Sequence, residues 1–316
     1  MEKIAIISTV FNTEKYVLEM IESVLSQTYK FFELIIVDDA SSDGSLRICQ
    51  EVAKKDLRIT ILPLKQNIGL GRARNFAIDY VQKKGFSYLT FLDSDDYIEK
   101  HFLERLYFAL KDSSCNIAVS SYSHGDFYDS KDILLINPSD LYKYRKEYSF
   151  FPSNCATSKL YKTSVFDGVR FNEKKHEDIF LIPKLILQEQ KIVLSKTKLY
   201  FYRVREGSIS FNDNTFKPNN LDRLEALESN FEFVVKNKID AFYHFSNEYF
   251  EYINLLIRRT KKQYKTTYES LKKKKKKMLV SYKNKIFQDM GKHHYYRFLL
   301  TEKSFLYKII CRIIRN

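Results

Sequence analysis

Apolar residues recur along this chain in two rhythms. Ile4-Ala5-Ile6-Ile7-Ser8-Thr9-Val10 is a continuous, mostly apolar run that turns polar at its end, and Val17, Met20, Ile21, Val24 and Leu25 then recur at helical spacing. The first pattern predicts a strand covered on both faces, the second a helix with one apolar face. Leu34-Ile35-Ile36-Val37 repeats the strand signal, a helix is predicted over 46–54, and Arg58 to Leu62 reads as a third strand. Asn67-Ile68-Gly69-Leu70-Gly71 is a turn opening a helix that carries Ala73, Asn75, Ala77, Ile78 and Val81. A strand at 88–92, a helix at 102–111 and a strand at 117–121 follow. Strands alternating with helices predict an α/β fold, a mostly parallel sheet flanked by helices.

Beyond that point the rhythm changes. Residues 122–150 are polar and tyrosine-rich without a clear period, which predicts a loop or small insertion. Glu177 and Asp178 open a helix with Ile179, Ile182, Leu185 and Ile186 on one face, and the dipole there favours ionised carboxylates. Ile192 to Leu194 and Leu199 to Tyr202 read as two short strands. Leu224, Leu227, Phe231, Val234, Phe242, Phe245, Tyr249 and Ile253 then predict a mainly helical C-terminal region. The expected division is therefore 1–215 and 216–316. Lys272 to Lys277 reads as a solvated helix face or loop. In 304–316, Phe305, Leu306, Ile309, Ile310, Ile313 and Ile314 line one helical face, and Lys308, Arg312 and Arg315 share the other. That is the pattern of a helix lying on an anionic membrane surface, with a core helix or a homo-oligomer contact as the competing readings.

Charge sharpens this division. The formal net charge of the 316 residues is +14, and residues 257–316 hold 19 Lys/Arg against 3 Asp/Glu. The basic character thus belongs to the tail and says nothing about the sheet. Nucleic-acid binding through the tail leaves the acidic strand ends unexplained, and no nucleic-acid partner is expected. The four cysteines, Cys49, Cys115, Cys155 and Cys311, form no CxxC pair and read as free thiols. Strand-like sequence begins at Ile4 and no apolar run approaches the roughly 20 residues of a spanning helix. A cytoplasmic protein, peripheral at the inner face of the cell membrane, is the expectation.

The candidate chemistry lies where strands end. Phe91-Leu92-Asp93-Ser94-Asp95-Asp96-Tyr97 runs from a buried strand into three carboxylates. Crowded carboxylates repel, so the cluster calls for a cation, and hard oxygen ligands suit Mg²⁺ or Mn²⁺. A solvated turn with helix-capping aspartates is the alternative. The second strand ends in Asp38-Asp39-Ala40-Ser41-Ser42-Asp43-Gly44, and the first in the polar stretch Thr9 to Asn12. In a parallel sheet such ends converge on one crevice, where ligands bind. The first turn lacks a dinucleotide glycine fingerprint and no GxxxxGK[ST] occurs, which excludes the two commonest phosphate-binding loops.

Taken in order, several pieces resemble the family-2 inverting glycosyltransferases of GT-A fold: Phe11-Asn12, Ser23 to Thr28, Val37 to Gly44, Asn67 to Asn75, Phe91 to Asp96, His176-Glu177-Asp178, Tyr202-Arg203 and Gly207 to Ser210. The resemblance covers residues 4–210. It implies a metal-dependent enzyme that moves a sugar from a UDP-sugar to a hydroxyl of a glycan or lipid-linked glycan, in bacterial surface polysaccharide synthesis. By the same resemblance Thr9, Phe11, Asn12 and Asp39 hold the base, Asp39 accepting from the uracil imide. Arg74 reaches the base or diphosphate, Asp93 and Ser94 lie by the ribose, and Asp95 binds Mn²⁺ or Mg²⁺. Asp96 is a cap, Asp178 the general base, and Arg203 part of a loop closing over the diphosphate. Thr9 stands where the family often has proline, a departure that affects loop stiffness. A sugar nucleotidyltransferase is the alternative enzyme, but Thr9 to Lys15 lacks its glycine-rich basic signature.

Overall fold

The computed structural model describes residues 1–123, 133–143, 153–204, 215–261 and 263–300, with side chains as far as 282. The chain divides into two compact units, Met1–Phe211 and Asn212–Asn316.

In the first unit β1 (Ile4–Val10), β2 (Phe32–Asp38), β3 (Ile59–Pro63) and β4 (Tyr88–Phe91) are joined by α1 (Val17–Leu25), α2 (Ser45–Ala53) and α3 (Leu70–Lys83). All pairings among these strands are parallel, in the order β3-β2-β1-β4. β1 is central, and Ile4, Ala5 and Ile6 are wholly buried, which is why its sequence is apolar on both faces. Val10 lies opposite Asp38 and Ile7 opposite Phe91, so the polar ends of β1, β2 and β4 emerge side by side.

Past β4 the sheet becomes mixed. The elements are β5 (Tyr97–Ile98), α4 (Phe102–Lys111), β6 (Ile117–Ser123), β7 (Ile133–Ile136), α5 (Pro138–Lys143), β8 (Lys159–Lys162), α6 (Glu177–Gln188) and β9 (Ile192–Phe201). The full order is β3-β2-β1-β4-β8-β6-β9-β5, with β7 also on β9. Of the added pairings, β6 with β9 is parallel, and β4–β8, β6–β8, β5–β9 and β7–β9 are antiparallel.

Two local expectations are corrected. The stretch read as a structureless insertion contains β7 and α5, because Ile133-Leu134-Leu135-Ile136 is a short apolar run that pairs with β9. The two short strands read at 192–202 are one strand. Its polar middle, Ser195 to Lys198, lies where the register with β6 shifts, and this irregularity mimics a break in the sequence pattern.

The second unit contains α7 (Asn220–Lys236), α8 (Phe242–Thr260) and α9 (Lys265–Leu300). Phe231 is fully buried and meets Phe242, Tyr249 and Phe250 at ring-centroid distances of 5.3, 6.1 and 6.3 Å. The six-lysine run lies within α9: Lys273, Lys276 and Lys277 are exposed, Lys275 is buried, and Lys274 pairs with Glu228 of α7. The proposed surface helix at 304–316 falls outside the described residues. Among the described residues no helix is long and apolar enough to cross a membrane.

Candidate active site

The turn after β1 is held to the turn after β2 by short polar side chains. Asn12 adopts a left-handed backbone (φ 53°), its Oδ1 accepting from the Ser42 N–H at 2.8 Å and its own N–H donating to Ser41 Oγ at 3.2 Å. Thr13 N–H donates to Ser45 Oγ at 2.8 Å, and Glu14 Oε2 accepts from Gly44 N–H at 2.8 Å. The Ser-Ser-Asp-Gly run is thus a set of partners for the first strand end. Thr9 is half-buried, and Phe11 is 47% exposed at the strand tip, a ring face available for stacking.

Asp39 is 3% exposed and accepts from two successive backbone donors, Ile68 N–H at 2.7 Å and Gly69 N–H at 2.9 Å. Gly69 has φ 86°, which glycine adopts without strain. The second glycine of the turn has another reason. A Cβ on Gly71 would sit 2.2 Å from the Asn172 carbonyl oxygen, so α3 can approach the 172–177 segment only with glycine there. Asn75 completes the contact in both directions, donating to Phe171 O at 2.8 Å and accepting from Phe171 N–H at 2.9 Å. Arg72 pairs with Glu173 beside it.

Arg74 is the centre of this contact. Its guanidinium is 4% exposed, donates to Glu177 Oε1 at 2.6 Å and Asp93 Oδ1 at 2.9 Å, and packs over the rings of Phe91 and Phe171. Burial alone pulls its pKa down, but Asp93, Glu177 and Asp178 together raise it further. Burial pushes Asp93 and Glu177 above the usual carboxylate range, with Arg74 opposing. Asp178, half-buried one residue on, is likewise raised by burial, with Arg74 and the Ile179 N–H opposing and Asp93 reinforcing the rise. A carboxylate poised this way is a proton acceptor of useful strength.

The acidic turn is fastened from two sides. Ser94 Oγ accepts from Thr13 Oγ1 at 3.1 Å, joining it to the first strand end. Asp96 is no helix cap, a correction to the sequence reading, since α4 begins six residues later at Phe102. It is buried instead, accepting from Tyr200 Oη at 2.7 Å and Arg203 N–H at 2.8 Å. Burial, then Asp93, pushes its pKa to about 8. Arg203 Nε donates to the Asp95 carbonyl at 2.9 Å and its guanidinium pairs with Glu19, so this side chain braces the acidic turn.

Among the described residues no three His, Cys, Asp or Glu side chains are disposed to enclose a metal ion. The cluster nonetheless fits a divalent ion, because Asp93, Asp95 and Asp96 raise one another's proton affinity, and Mg²⁺-type ions often take one or two carboxylates with substrate phosphates.

Of the residues singled out from sequence, Arg74, Asp93 and Asp178 share one neighbourhood, and Asn12, Ser94, Asp39 and Arg203 are tied to the adjoining strand ends. Arg74 and Arg203, expected on the diphosphate, are engaged with protein carboxylates and carbonyls. Glu177 was missed as a site residue although its position in the first turn beside Asp178 was visible. Tyr200 and Lys159 left no signal beyond strand-forming character.

Comparison with known proteins adds an independent line. Residues 5–170 match the sequence profile described as glycosyl transferase family 2. The glycosyltransferase GlyA of Streptococcus pneumoniae is 36% identical over 224 residues, 66% of this chain and 32% of that protein, so the chain spans about a third of GlyA's length. The Escherichia coli protein named UDP-Glc:alpha-D-GlcNAc-diphosphoundecaprenol beta-1,3-glucosyltransferase WfaP is 29% identical over 217 residues, 67% of this chain and 81% of WfaP. The crystal structure of Staphylococcus aureus TarS 1–349 with UDP-GlcNAc superposes with a TM-score of 0.60 at 20% identity, over 80% of this chain and 72% of TarS. That likeness concerns the fold.

Proposed function

The chain belongs to glycosyl transferase family 2, and on that premise we propose that it moves a sugar from a UDP-sugar to a hydroxyl of a glycan or lipid-linked glycan, inverting the anomeric carbon. One observation carries the reading. Arg74 draws the first turn of α6, with Asp178, to the strand end that bears Asp93, so a proton acceptor and a nucleotide-binding edge share one crevice. WfaP, by its name, takes UDP-Glc to a diphosphoundecaprenol-linked acceptor, and TarS binds UDP-GlcNAc, which supports a UDP-sugar donor and a surface-polysaccharide role.

In this mechanism Phe11 stacks on the base, and Asp39 accepts from the imide while holding the turn at Ile68 and Gly69. Asp93 and Ser94 lie by the ribose. A divalent ion on Asp95 would neutralise diphosphate charge as UDP departs. Asp178 takes the acceptor hydroxyl's proton, the oxygen attacks the anomeric carbon opposite the leaving group, and UDP leaves with the bonding electron pair. A single displacement inverts the centre. Asp178 supplies the roughly 10²–10⁴-fold typical of a positioned base.

The enzyme works as a peripheral protein at the inner membrane face, its basic tail meeting anionic lipid. UDP release from a panel of UDP-sugars, with and without Mn²⁺ and with lipid-linked acceptors, tests the function. Release with no UDP-sugar and any acceptor sinks it. Vesicle flotation with and without residues 300–316 tests the membrane contact, and equal flotation removes it.

A further inference from the structure

Lys159 at the start of β8 is a lysine with no exposed surface. An ammonium that far from water costs several kcal/mol unless partners compensate. Its partners come from the turn just before it. Nζ donates to the Cys155 carbonyl at 2.7 Å and to the Thr157 carbonyl at 3.1 Å, while Ser158 takes a left-handed backbone (φ 61°) that wraps the turn over the ammonium. The strand carrying it is fixed in turn: Thr90 Oγ1 of β4 donates to the Lys159 carbonyl at 2.6 Å. Thr157 bridges to Phe91, immediately ahead of the acidic turn. A buried cation therefore lies under the same strand end that carries the site, and Lys159 and Asp178 feel each other's charge.

We propose that Lys159 is a positioning residue for the glycosyl transfer: its ammonium fixes the Cys155–Thr157 turn beside Asp178 and holds that carboxylate in its proton-accepting form. This rests on the reading of Asp178 as the base. The charged and titratable groups facing Asp178 are Arg74 from α3, Asp93 after β4, Cys155 ahead of β8, Lys159 and Tyr161 on β8, and Glu177 on its own helix. Arg74 is shared with Asp93 and Glu177, so Lys159 adds positive charge from a second direction. Burial opposes that charge and lowers the lysine pKa, while Asp178 supports it.

The test compares Lys159→Met, Lys159→Arg and Asp178→Asn with the wild type in the full chain, by pH profiles of kcat/KM and by calorimetry with UDP. Lys159→Met is expected to move the acid limb upward by about one pH unit and to lower neutral-pH turnover roughly tenfold, with UDP binding retained. Lys159→Arg, which keeps the charge, is expected to restore the limb. A raised acceptor KM with an unmoved limb is what a merely structural lysine gives, and it overturns the proposal. If the Met variant does not fold, the Arg variant decides, and an upward-moved limb there overturns it. An active Asp178→Asn instead overturns the reading of the base and this assignment with it. An inactive Asp178→Asn beside an unmoved limb in Lys159→Met overturns this assignment alone.

Discussion

Arg74 and Glu177 lie 103 residues apart in sequence and meet at 2.6 Å, both almost fully buried. Removing one partner leaves the other as an unpaired buried charge. Glu177→Gln is expected to cost about 3 kcal/mol by urea unfolding. The double variant Arg74→Met, Glu177→Leu recovers part of that stability, because apolar side chains fill the same volume, but not the turnover. Recovery of turnover in the double variant would show that the pair serves folding alone.

Gly71 gives a second, steric prediction. The methyl of Gly71→Ala lands on the Asn172 carbonyl, which is backbone and cannot swing aside. A stability loss of about 1–3 kcal/mol is expected, as for overpacked cores, with a larger proportional loss of turnover than of UDP binding. Gly85→Ala is the comparison, since it meets no atom nearby and is strained only by its φ of 73°. Equal losses of turnover in the two variants would remove the special role of Gly71.

Asp178→Asn should lower kcat by roughly 10²–10⁴-fold and spare UDP binding measured by calorimetry. The pH dependence follows from the sign of the shift. Burial raises the Asp178 pKa, and a base works only when ionised, so activity is present at high pH and lost as pH falls through the raised value. The acid limb of kcat/KM therefore lies above the ordinary carboxylate value of about 4. A limb at or below that value assigns the proton acceptor elsewhere.

Asp95→Ala addresses the cation. Metal-dependent tightening of UDP binding should disappear, while the weaker metal-free binding persists through Asp39 and the first strand end. Calorimetric titration of UDP with and without Mn²⁺ reads this directly. Retained tightening transfers the metal to other ligands.

What the sequence disclosed follows from which forces are local. The buried strands β1 and β2 and the amphipathic α1 and α4 were legible because burial on two faces, or on one, writes itself as a period in the residues. α4 was placed at its observed limits. β9 was read as two pieces because a register shift, set by its neighbour β6, puts polar residues in the strand's middle. The acidic strand ends were visible as composition. Their internal wiring was not: Tyr200 to Asp96 and Arg203 to Asp95 span more than a hundred residues, and nothing in either local pattern marks the partner. Arg74 was recognised as functional, but its carboxylate neighbours depend on how α3 meets α6. Asp96 was misassigned because an aspartate after a strand looks the same whether it caps a helix or lies beneath the turn.

The clasp between Asn75 and Phe171 joins two pieces of chain that are remote in sequence. At its other end α3 begins on the backbone amides that grip Asp39. One rigid helix therefore runs from the uracil side of the crevice to the residue that receives the proton. Any tilt imposed at its first turn must reappear at the last step of the chemistry, so donor recognition and acceptor activation are geared to each other through a single lever.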